Sequence, residues 1–61
     1  MLNQLEQEVV GLIEEGYARW YIAEKLGIGE TKVRAVISDL CNRYDCRMKD
    51  LPEVLRKENN G

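Results

Sequence analysis

The chain has 61 residues, nine Lys and Arg against eleven Asp and Glu, and a net charge of −2. That length holds one domain at most and buries only roughly 60% of its unfolded surface, so a multidomain layout is excluded and marginal stability is expected. The absence of histidine removes Ser-His and Cys-His nucleophile pairs, and two cysteines cannot complete a zinc site. No enzyme activity, cofactor or metal is therefore expected.

The first helix is predicted to start after Asn3. Asn3 can accept from early backbone amides, and Glu6, three residues on, can reach back to complete a capping box. Leu2, Leu5, Val9, Leu12 and Ile13 recur at helical spacing and form one apolar face. Gly16 is a natural stop, because glycine enters the left-handed conformation at little cost. The second helix is predicted from about Ala18 to Leu26, with Ile22, Ala23 and Leu26 inward and Gly27 as its end. Ala18 offers no side-chain acceptor, so this start is poorly capped.

The third helix is predicted from Glu30 to Tyr44. Val33, Val36, Ile37, Leu40 and Tyr44 make a sustained apolar stripe. With Gly29 as cap, Ile28 and Val33 take the two positions of a hydrophobic staple, although Thr31 is a competing cap. A turn over residues 45–49 leads to a short fourth helix, with Asp50 as its cap and Pro52 in the first turn. Residues 1–58 are expected to form the single domain and 59–61 a frayed tail. Cys41 and Cys46 are expected as buried thiols rather than a disulfide; five residues apart on one helix, they would not stack. The amino-terminal MLNQLEQE has no basic region, and no stretch approaches the ~20 apolar residues of a membrane span. A cytoplasmic protein is the expectation.

The segment RWYIAEKLGIGETKVRAVIS has the spacing of a helix-turn-helix. Ala23 is small where two helices would cross. Gly27 makes the turn four residues later, and Ile28, Val33 and Val36 lock the second helix to the first. Charge follows the same division. Residues 1–16 carry four carboxylates and no cation. Residues 17–49 carry seven cations against four anions, a balance of +3, where phosphates would lie. Residues 50–61 return to −1.

At these residues the chain resembles the carboxy-terminal DNA-binding domain of LuxR/GerE-type transcriptional regulators. LNQLEQEVVGLIEEG is similar to that family's leading helix. YIAEKLGIGETKV is similar to its scaffold helix, turn and start of the recognition helix, with Ile22, Ala23, Leu26, Ile28 and Val33 matching. The resemblance runs from Leu2 to about Leu55. It implies an all-α fold of three core helices plus a short fourth, a cytoplasmic regulator, and dimerisation through the fourth helix. Most members attach this module to a sensor or receiver domain, and with Met1 at the start a free-standing version is the expectation here. Ala18 and Gly29 stand where the family commonly has serine, Lys32 where it has threonine, and Val36 where it often has histidine. Sigma-factor region four shares much of this pattern.

The exposed face of the third helix is the candidate DNA reader: Thr31, Lys32, Arg34, Ala35, Ser38 and Asn42. Arg19, Arg43, Arg47 and Lys49 are candidate phosphate contacts, with ordinary surface charge as the alternative. Asp39 lies beside this face and would repel phosphate. Leu51, Val54 and Leu55 are candidates for a homodimer contact, the alternative being packing on the first helix. Tyr17, Trp20 and Tyr21 form an aromatic group that either covers the core edge or presents a partner surface. The leading expectation is a regulator that inserts helix 30–44 into double-stranded DNA, as a dimer. The alternative is a protein-interaction module that keeps the helix-turn-helix skeleton and binds a transcription factor or RNA polymerase.

Overall fold

Asn3 starts the first helix as its spacing to Glu6 requires. The Glu6 amide donates to the Asn3 side chain at 2.8 Å, and the Asn3 amide donates to Glu6 Oε1 at 3.0 Å. The capping box is thus complete. In the computed structural model, which describes residues 2–60 with side chains through Glu58, the described residues form four α-helices and no strand. They are α1 Gln4–Glu14, α2 Arg19–Leu26, α3 Glu30–Tyr44 and α4 Leu51–Asn60. A 3₁₀ turn, Met48–Asp50, leads directly into α4. None of these helices is long and apolar enough to cross a membrane.

Two expectations about α4 change. Asp50 is the last residue of the 3₁₀ turn, its amide donating to the Arg47 carbonyl at 3.0 Å, so α4 starts without a free-standing cap. The α4 range also takes in Asn59 and Asn60, which the sequence assigned to a tail; Gly61 lies outside the described residues.

The first three helices end by the same device. A residue past the end turns left-handed, and the next amide folds back to a carbonyl five residues earlier. Tyr17 donates to the Leu12 carbonyl at 3.2 Å, Ile28 to Ala23 at 3.0 Å and Cys46 to Cys41 at 3.1 Å. The left-handed residues are Gly16 (φ 92), Gly27 (φ 70) and Asp45 (φ 50). A Cβ at either glycine would meet nothing within 4 Å, so backbone conformation and not space demands glycine there. Asp45 is the exception. It carries a side chain in a conformation that costs L-residues roughly 1 kcal/mol, and its carboxylate faces the negative end of the α3 dipole.

Every helix contributes to one core. Val9 and Ile13 come from α1, Ile22 and Ala23 from α2, Val33, Ile37 and Leu40 from α3, and Leu51 and Leu55 from α4. Leu2, Leu5, Leu12, Leu26, Ile28, Val36 and Tyr44 pack around it, half-buried. Gly29 is the cap of α3, with extended backbone (φ −70, ψ 149) and no side-chain bond, which settles its competition with Thr31. Ile28 and Val33 therefore do occupy staple positions. Ala18 caps α2 in the same bare way (φ −75, ψ 160).

The bare and strained helix ends are the cheapest places to stabilise this fold. Ala18→Ser supplies the missing acceptor and raises stability by about 1 kcal/mol. Asp45→Gly relieves both the left-handed strain and the dipole clash, for a gain of about 1 kcal/mol. Urea unfolding followed by circular dichroism measures both, and a lower midpoint in either variant contradicts the assignment of these ends.

Candidate nucleic-acid interface

The corner between α2 and α3 decides what α3 can present. Gly27 closes α2, and the Lys32 and Val33 amides donate to the Gly29 carbonyl at 3.1 and 3.2 Å, which opens α3. Val33, Ile37 and Leu40 then point into the core. Thr31, Ala35, Ser38 and Asn42, at i, i+4, i+7 and i+11, run along the opposite side and are all exposed. No part of the described chain covers this stripe. It is short-chained and polar, with one methyl at Ala35.

Lys32 and Arg34 are also exposed, but two residues apart on a helix they do not share a side. They border the stripe on its two flanks. Neither has a carboxylate partner among the described residues. The six sequence-predicted reading residues thus form a strip with a cation on each edge, not a single cluster.

The predicted phosphate contacts divide. Arg43 is held by two carboxylates: its Nη2 lies 2.5 Å from Glu6 Oε2 and 3.0 Å from Asp39 Oδ2. The hydrogen bond that Arg43 donates to Asp39, together with the charges of Glu6 and Asp39, pushes the guanidinium pKa up against the opposing effect of burial. Arg43 is therefore an ion-pairing residue linking α3 to the start of α1, where a phosphate would have to compete with two carboxylates. The same pairing offsets Asp39, the carboxylate expected to repel phosphate. Arg19, Arg47 and Lys49 are exposed and have no ion-pair partner among the described residues.

Arg47 and Lys49 meet Tyr17 at an open groove of about 520 Å³, lined also by Ile13, Gly16 and Met48. This meeting of the α1 end with the 3₁₀ turn is absent from the sequence reading, because 30 positions separate Tyr17 from Arg47. The aromatic group continues from it. Tyr17 and Tyr21 have ring centroids 4.4 Å apart, and Trp20 meets Tyr21 edge-on at 5.8 Å. Trp20 is 61% exposed and Tyr17 38%, whereas Tyr21 is half-buried. Tyr21 is sheltered between the rings of Tyr17 and Trp20, while the tryptophan stands out in solvent.

Two of the three residues expected at a dimer contact are covered by their own chain. Leu51 is fully buried and Leu55 nearly so, because α4 lays that edge against α1 and α3 of its own chain. Only Val54 of the three keeps partial exposure. An ion pair between Arg56 and Glu14 closes the same α1–α4 seam.

The thiols of Cys41 and Cys46 are free and half-buried. Burial pushes both pKa values up. The neighbouring Cys46 adds to the rise at Cys41, and Asp50 and then Asp45 add to that at Cys46. Among the described residues no group of three His, Cys, Asp or Glu side chains could hold a metal ion. Compared with known proteins, the chain matches no family model, no curated protein and no solved structure.

These burials separate core from surface in a measurable way. Leu51→Ala costs about 2–5 kcal/mol, the range for emptying a buried leucine site, and the loss does not depend on protein concentration. Trp20→Ala changes stability by less than about 1 kcal/mol. Thermal melts at two concentrations check both; a concentration-dependent loss at Leu51 points to an interface instead.

Proposed function

We propose that the protein is a small DNA-binding transcriptional regulator of the LuxR/GerE helix-turn-helix type, acting without an enzymatic step. It inserts α3 into the major groove of double-stranded DNA. The observation that carries this reading is the uncovered polar stripe of α3, set opposite the core by the Gly27 corner. From Thr31 to Asn42 the stripe is about 16 Å long at 1.5 Å per residue, and a helix fits the ~12 Å width of the major groove. Thr31, Ser38 and Asn42 supply hydrogen-bonding groups for base edges, and Ala35 supplies a methyl for thymine. Lys32 and Arg34, on the two flanks, reach guanine edges or the phosphates bordering the groove. Arg19, Arg47 and Lys49 add phosphate contacts; Arg43 does not. With Leu51 and Leu55 buried, the reading is of one domain on one half-site, and pairing of two copies needs a surface other than that edge.

A second reading is favoured by one observation, the exposure of Trp20 beside two tyrosines. Aromatic side chains of this kind anchor protein interfaces. In that reading the domain docks on a protein of the transcription machinery and α3 reads no DNA.

Fluorescence anisotropy with random and genomic duplexes across a salt series separates the two. Combined Lys32→Ala and Arg34→Ala substitution is expected to weaken duplex binding at least about tenfold and to lower the salt slope by roughly one to two. Unchanged binding by that double variant removes α3 as the reader. Absence of any binding by the unaltered chain at low salt leaves the protein-docking reading.

A further inference from the structure

Cys41 and Cys46 occupy the two positions that the end of α3 folds together. In a straight helix a separation of five residues would point them apart. The left-handed turn at Asp45 (φ 50) removes that separation, and the Cys46 amide donates to the Cys41 carbonyl at 3.1 Å. In this type of helix end the side chains flanking the returning bond meet, and the contact is ordinarily between two apolar groups. Here both groups are thiols. Both are free, half-buried and packed against the core. With ordinary bond lengths, that backbone contact holds the two α-carbons within about 7 Å of each other. Disulfides span α-carbon separations up to ~6.8 Å.

We propose that Cys41 and Cys46 are a site of reversible covalent modification, a dithiol that a small disulfide such as glutathione disulfide converts to an intramolecular bond. One cysteine, as thiolate, attacks a sulfur of glutathione disulfide and releases one glutathione. The mixed disulfide then faces the other cysteine, which loses its proton and displaces the second glutathione. Two cysteine S–H bonds and one glutathione S–S bond are broken. One Cys41–Cys46 S–S bond and two glutathione S–H bonds are formed. The protein gives up two electrons, and glutathione disulfide receives them. The helix end holds the two cysteine backbones at hydrogen-bond distance, so the second step is intramolecular. The new bond straps the last turn of α3 across Asn42 and Arg43, the carboxyl end of the exposed stripe. The proposal rests on the helix end alone and is independent of what α3 binds.

Glutathione disulfide is added to the full chain, remaining thiols are blocked with N-ethylmaleimide, and the unreduced product is digested with trypsin. Cleavage after Arg34, Arg43 and Arg47 leaves the two cysteines on separate peptides, residues 35–43 and 44–47. The expected product is these two peptides joined, two hydrogens lighter than their sum, from a monomeric chain. Cys41→Ser and Cys46→Ser, each lacking the resolving thiol, accumulate the glutathione adduct at least about tenfold above the unaltered chain. A lasting glutathione adduct on the unaltered chain, a disulfide between two chains, or thiols that stay reduced while a urea-unfolded sample oxidises would each overturn the proposal. The peptide map of the unaltered chain decides the matter even where a serine variant fails to fold.

Discussion

The rest of the structure depends on a single left-handed residue. At Gly27 the chain leaves α2 with φ 70, and the Ile28 amide returns to the Ala23 carbonyl. That hydrogen bond fixes the direction in which the chain departs. Ile28 then lies over the crossing, and Val33 takes the matching position one turn into α3. Ala23, buried and small, lets the two helices approach. Without this corner the α3 stripe from Thr31 to Asn42 would have no defined relation to the core.

The same closure recurs at the ends of α1 and α3, with different consequences. At α1 it places Tyr17 beside the groove that Arg47 and Lys49 also line. At α3 it joins the backbones of two cysteines and puts aspartate where glycine would be easier. A residue that strains its own backbone and opposes the helix dipole lowers the stability of a small domain. The price is borne at the end of α3, next to the dithiol.

Ion pairing decides which charges of this acidic chain are engaged and which stay free. Glu6 serves twice, one oxygen capping α1 and the other holding Arg43. Asp39 shares that arginine, and Glu14 pairs with Arg56. Acidic groups of α1 and α3 are thereby engaged with cations of α3 and α4. Arg19, Lys32, Arg34, Arg47 and Lys49 are left without partners among the described residues. Seven carboxylates, Glu30 at the start of α3 among them, also lack a cation partner among the described residues, so these cations are a local feature of the α3 side and not a net positive surface.

The sequence by itself determined what neighbouring residues can decide. The Asn3–Glu6 box, the Gly16 and Gly27 ends, the Gly29 start and the apolar stripe of α3 all rest on contacts within about one or two turns of chain. The exposed face of α3 was legible for the same reason, since it is the complement of Val33, Ile37 and Leu40 on a helix of fixed period. Tertiary structure alone decided the fate of groups whose partners are distant. Arg43 meets a carboxylate 37 positions away, and only its i, i+4 pairing with Asp39 was legible locally. Leu51 and Leu55 form an apolar edge that suits a second copy as well as α1, and the packing of α4 chose α1. Tyr17 and Trp20 differ in surroundings, not in pattern. Periodicity tells which residues share a face, but only the packed chain determines what that face touches.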